Sequence, residues 1–186
     1  MGIGSFKGGN AGGLRALLLA DINDLLNEFE PYLLPTNAQI IEDSLALKDG
    51  KELQYIGFAY DHGAYDFEHK NGAWGIAHND KISVSIPQIS PEVHEWIYQS
   101  TRHRYVCIVI DNNKMAMVLG SSNFPCKIAM KAGTGDKFSS SNQYLFDITC
   151  EKPYQSRFYQ MIQPPDVPTR KVYDAGFDWG YLKTWN

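Results

Sequence analysis

The run Lys81-Ile82-Ser83-Val84-Ser85-Ile86 decides the fold class, because apolar and polar residues alternate in it without a break. A period of two places Ile82, Val84 and Ile86 on one face of a strand and Lys81, Ser83 and Ser85 on the other, so this strand is half buried. The same alternation recurs in Tyr144, Phe146, Ile148 and Cys150, interleaved with Leu145, Asp147 and Thr149. Two such strands imply a sheet with one face on a core and one in solvent.

The neighbouring stretches fill in a mainly β chain. Tyr105–Ile110 is a continuous apolar run and reads as a central strand, and Asp111-Asn112-Asn113 turns it back into Met115–Leu119. Arg15–Ala20, Gln39–Ala46, Glu52–Tyr60, Ala64–His69, Cys126–Met130 and Ser156–Ile162 are the other expected strands, with Asp49-Gly50 and His62-Gly63 as turns. Asp21-Ile22-Asn23-Asp24 caps a short helical turn whose face would bury Leu25, Leu26 and Phe29 before Pro31 and Pro35 end it. One true helix is expected over 91–103. Ser90 is its N-cap, Pro91 its first residue, and Val93, Trp96 and Ile97 form its buried stripe, while His94, Glu95 and Gln99 face away.

These elements fit one β-sandwich domain over 11–162, since 186 residues suit a single core. Residues 1–10, rich in glycine, read as a flexible N-terminal arm. From Gln163 the character changes. Pro164, Pro165 and Pro168 break regular structure, and Phe177, Trp179, Tyr181 and Trp185 add large apolar surface without strand or helix period. Residues 163–186 therefore read as an extended aromatic arm, docked either on its own domain or, as its aromatics favour, on a neighbouring chain. Phe6, Phe177, Trp179, Tyr181 and Trp185 are the candidate subunit-interface residues, because large aromatics anchor interfaces.

Catalytic and ligand motifs fail on inspection of their chemistry. Cys107, Cys126 and Cys150 are widely spaced and read as buried thiols. Asp61-His62 and Glu68-His69 pair acid with imidazole only along the chain, and neighbouring strand residues point to opposite faces. Gly133-Thr134-Gly135-Asp136-Lys137 lacks the spacing of a phosphate-binding loop, and neither H-E-x-x-H nor G-x-S-x-G occurs. The expectation is no enzyme, no metal and no cofactor. A net charge of −4 gives no field for gripping nucleic acid. No apolar run approaches the ~18 residues of a membrane span, so no membrane partner is expected and the chain is expected in the cytoplasm of the cell that makes it.

Asn10-Ala11-Gly12-Gly13-Leu14-Arg15, Leu17-Leu18-Leu19-Ala20-Asp21, Val109-Ile110-Asp111-Asn112-Asn113, Val118-Leu119-Gly120, and Gly133-Thr134-Gly135 through Asn142–Thr149 follow one another in an order that resembles virion proteins of tailed phages. The resemblance is to tail-tube-type subunits, of Bacteroidetes-phage-like kind, and covers residues 10–160. It implies a β-sandwich flanked by one helix, whose copies join edge to edge in a ring, commonly of six. Rings then stack into a tube through which DNA passes as cargo, and the protein sits in the virion tail or neck beside other tail and neck proteins. A neck, adaptor or tail-terminator ring is the alternative within the virion. A carbohydrate-binding or host-recognition β-sandwich using exposed Trp and Tyr is the alternative from another class.

Overall fold

The computed structural model describes residues 12–33, 36–37, 40–41, 45–57, 62–72, 75–87, 90–113, 115–133, 143–159 and 169–173. The alternating run falls in β6 (Gly75–Pro87), which pairs antiparallel with β5 (Gly63–Gly72) and with β10 (Gln143–Lys152). Its register sets Ile82 opposite Ile148, Val84 opposite Phe146 and Ile86 opposite Tyr144, so the two alternating sequences bury the same face. β9 (Lys127–Gly133) completes a four-stranded sheet in the order β5-β6-β10-β9.

The second sheet is built around the continuous apolar runs. β1 (Leu14–Asp21) lies between β4 (Leu53–Gly57) and β7 (Tyr105–Asp111), and β8 (Ala116–Leu119) hairpins back onto β7. The turn of that hairpin is held by Asp111, whose Oδ1 accepts from Met115 N at 2.7 Å. These strands are apolar on both faces because both faces are covered. Leu17, Leu19, Cys107 and Val109 face the smaller sheet, while Leu18, Val106, Ile108 and Ile110 pack on Leu25, Phe29 and Leu45. Each such Leu stabilises the fold by about 2 kcal/mol through burial. The outer strands of the sheet are short: β11 (Arg157–Tyr159), β3 (Ile40–Ile41) and β2 (Thr36–Asn37).

α1 (Pro91–Ser100) closes one side of the sandwich. Ser90 caps it by accepting from Val93 N at 3.3 Å, and Val93 and Ile97 enter the core. Trp96 meets Phe146 edge-on and donates from Nε1 to Gln54 Oε1 at 2.7 Å, tying the helix to both sheets. His94 does not simply face away, for its Nδ1 lies 3.2 Å from Tyr144 Oη. The helix ends at Ser100 rather than at residue 103. Arg102 N and His103 N bond the carbonyls of Gln99 and Ser100 in turns of three residues, which releases His103 to reach the Asp21 carboxylate.

Several boundaries differ from expectation for identifiable reasons. Asp21 caps only a three-residue 3-10 turn, Ile22–Asp24. Leu25 then bridges Leu47 as extended chain, so Leu25 and Phe29 are buried while Leu26 points outward at 57% exposure. Within 39–46 only Ile40–Ile41 forms a described strand, and Leu45 is buried from a loop. The sandwich also extends beyond residue 162. Thr169–Tyr173 forms β12, parallel to β4, with Thr169 opposite Leu53 and Lys171 opposite Tyr55. Part of the expected arm thus belongs to the sheet, where it satisfies backbone groups that β4 would otherwise leave bare.

Candidate interaction surface

Two features of the smaller sheet stand out as surfaces for other molecules. One is its pair of edges: among the described residues, neither β5 nor β9 has a strand on its outer side. The other is a ribbon at the β5–β6 turn. β10 stops at Lys152, opposite His78, so the pairs Lys70–Ala77, Asn71–Ile76 and Gly72–Gly75 project without it. Ile76 in this ribbon and Phe67, opposite Asp80 near its base, are 55% and 60% exposed and lie on the same face of the strand pair.

The outer face of the same sheet is polar and shallow. A depression of about 490 Å³ is lined by His62, Ser85, Lys131, Leu145 and Asp147 among others. His62 Nδ1 lies 2.6 Å from Ser85 Oγ. Asp147 accepts from Ser83 Oγ at 2.7 Å and pairs with Lys81 Nζ at 3.0 Å. Burial acts to raise the Asp147 carboxyl, but the Ser83 hydroxyl and the Lys81 and Lys131 charges outweigh it and hold the group below its ordinary value.

The candidates for chemistry separate in space. His69 faces His78 across the strand pair, rings edge to face at 4.6 Å, with Phe67 on the far side of His69. Burial, then the charges of His69 and Lys152, push the His78 imidazole down. Among the described residues no three His, Cys, Asp or Glu side chains gather as a metal site. The three cysteines are free and buried, and they meet between the sheets. Contact with Cys107, together with burial, drives the Cys126 thiol well up, and the Cys150 thiol is raised by its contact with Cys126, so neither is a ready thiolate. Phe6, Phe177, Trp179, Tyr181 and Trp185, the expected interface anchors, lie outside the described residues, as do Asp61 and the loop after Gly133.

A polar cluster that no sequence motif marks sits in the core beneath the ribbon. Lys152 Nζ contacts Asp80 Oδ2 with 0% and 3% side-chain exposure. Tyr65 Oη donates to Asp80 Oδ1 at 2.7 Å, and Ser156 Oγ is 2.7 Å from Asp80 Oδ2 and 2.6 Å from Lys152 Nζ. A sequence signal for it existed: extending the inward positions Ile86, Val84, Ile82 by two residues reaches Asp80, and extending Ile148, Cys150 reaches Lys152.

Comparison of the chain with protein-family models, with curated proteins and with solved structures finds no match. Among the described residues, no helix is long and apolar enough to cross a membrane.

Proposed function

We propose that this chain is a structural subunit of a bacteriophage virion, of tail-tube type, whose copies close into rings that stack around a DNA channel. The observation that carries the reading is the four-stranded sheet that, among the described residues, has an unpartnered edge at each side, β5 and β9. An edge of paired-strand geometry presents a row of free backbone donors and acceptors. Joining β9 of one copy to β5 of the next is a heterologous contact, and such contacts close into a ring when the rotation between copies permits.

The sequence pattern and the projecting ribbon support the same reading. Ile76 in the ribbon and Phe67 at its base give that end of the strand pair apolar surface suited to a neighbouring subunit, and the aromatic residues Phe177, Trp179, Tyr181 and Trp185 are further anchors. DNA is passing cargo in this scheme, which agrees with a net charge of −4 and the absence of a basic footprint.

The test is assembly of the full chain. Rings or tubes by electron microscopy, with a solution mass that is a multiple of 21.0 kDa, are the expected result. A single-chain mass at every concentration, with neither rings nor tubes and no incorporation into particles, rejects the reading. Copy number per particle separates a tube, with many rings, from a neck or terminator position, with one.

A further inference from the structure

We propose that Lys152 and Asp80 are a self-modification site, at which the chain forms an intramolecular isopeptide bond between the lysine amine and the aspartate carboxyl. The observation is the placement of four groups in the core between β5, β6, β10 and the start of β11. Amine and carboxyl touch, both are shielded from water, and each oxygen of the carboxyl has its own hydroxyl partner.

Desolvation disfavours an ammonium and a carboxylate alike, and a proton moved from one to the other removes both charges at once. Burial pushes the Lys152 amine down to about 8, so the free amine is accessible near neutral pH. The neutral pair, amine and carboxylic acid, is the reactive form for amide formation.

The step balances within these side chains. Lys152 Nζ adds to Asp80 Cγ, forming the C–N bond. The negative charge that develops on Oδ1 meets the Tyr65 hydroxyl, whose proton is firmly held because burial raises that phenol to about 12. Oδ2 already carries the acid proton received from Lys152; Ser156 takes a second proton from Nζ and hands its own to Oδ2, since it sits within hydrogen-bond distance of both, and Oδ1 returns to a carbonyl oxygen. The Cγ–Oδ2 bond then breaks and Oδ2 leaves as water. One water is lost, and nothing is oxidised or reduced. Fixed contact in a closed site replaces the encounter that makes this condensation slow in solution, and exclusion of water protects the product.

The bond would join residues 72 apart in sequence, across β6 and β10. It would fasten the base of the projecting ribbon covalently to the sandwich.

The experiment is an intact-mass measurement on the purified full chain, followed by trypsin digestion after denaturation. The expected result is a mass lower than the sequence sum by one water, and a branched species joining peptide 71–81 to peptide 138–157. Lys152→Met should restore the mass of an unmodified chain. Ser156→Ala, which keeps both reacting groups, should slow the appearance of the branched species after synthesis. A full chain at its unmodified sequence mass, with the two peptides released separately, overturns the proposal and identifies the contact as an ordinary ion pair. Because wild type alone decides this, a variant that fails to fold does not cloud the outcome. If the bond forms at the same rate in Ser156→Ala, the relay assigned to Ser156 is wrong.

Discussion

Gly120 holds φ at +79°, and a Cβ built on it would lie 2.9 Å from Cys126 Sγ and 3.2 Å from the Tyr105 carbonyl oxygen. Both the backbone conformation and the space therefore demand glycine. The close approach lets Cys126 and Tyr105 bond each other through both backbone groups, at 2.8 and 3.1 Å, and lets the Cys126 thiol reach the Leu119 carbonyl. Gly120→Ala combines a left-handed backbone penalty with overpacking, a loss of about 2–4 kcal/mol. Denaturant unfolding should show a lower midpoint with an unchanged slope, and a midpoint equal to wild type would refute this account of the turn.

Trp96 and Gln54 couple the helix to β4. Replacing Trp96 by Phe keeps the ring against Phe146 but removes the donor to Gln54 Oε1, and should cost about 0.5–1.5 kcal/mol. Once Gln54→Leu is present, the same Trp96 substitution should cost measurably less, because the bond it removes is already gone. Additive losses in the double-mutant cycle would show that the two side chains do not depend on each other.

Much of this architecture was legible in residue order because one physical signal, burial by period, wrote it. The alternation at 81–86 and 144–150 gave both central strands of the smaller sheet, and Tyr105–Ile110 gave a strand covered on both sides. Periodicity says nothing about what happens where a strand meets a partner distant in sequence. Thr169–Tyr173 joins β4 from beyond three prolines, and in residue order those prolines mask the strand that follows them. The convergence of Cys107, Cys126 and Cys150 was equally hidden, since each looks like an isolated apolar filler until sheet register sets them side by side. Asp80 and Lys152 were concealed differently. Charge suggests solvent, and only the continued alternation says otherwise.

His78 supplies a pH dependence whose sign follows from its surroundings. Its folded value lies below 6.5, with burial as the main cause and the neighbouring His69 and Lys152 charges adding to it. The unfolded chain therefore binds the proton more readily. Stability is complete above about pH 6.5 and falls as pH drops through the window between the unfolded value and the lower folded one. An amide at Lys152 would remove that residue's share and leave burial and His69. The thermal midpoint should decline on going from neutral to mildly acidic buffer, and His78→Gln should flatten the decline. An identical decline in the variant would assign it to another group.

The ribbon gives the sharpest separation between folding and assembly. Phe67 and Ile76 are more than half exposed, so replacing both by Ser removes apolar surface that the folded chain buries only in part, where Phe67 meets the Tyr65 and His69 rings, and the loss of stability should stay within about 2 kcal/mol. If that face meets a neighbouring subunit, the same change deletes the apolar centre of a contact, where a few residues carry most of the binding energy. Electron microscopy and solution mass should then report single chains that still unfold cooperatively, under conditions in which the unsubstituted chain gives rings. Rings that persist in the doubly substituted chain would mean that the strand edges β5 and β9 suffice, and that the exposed pair serves no contact between copies.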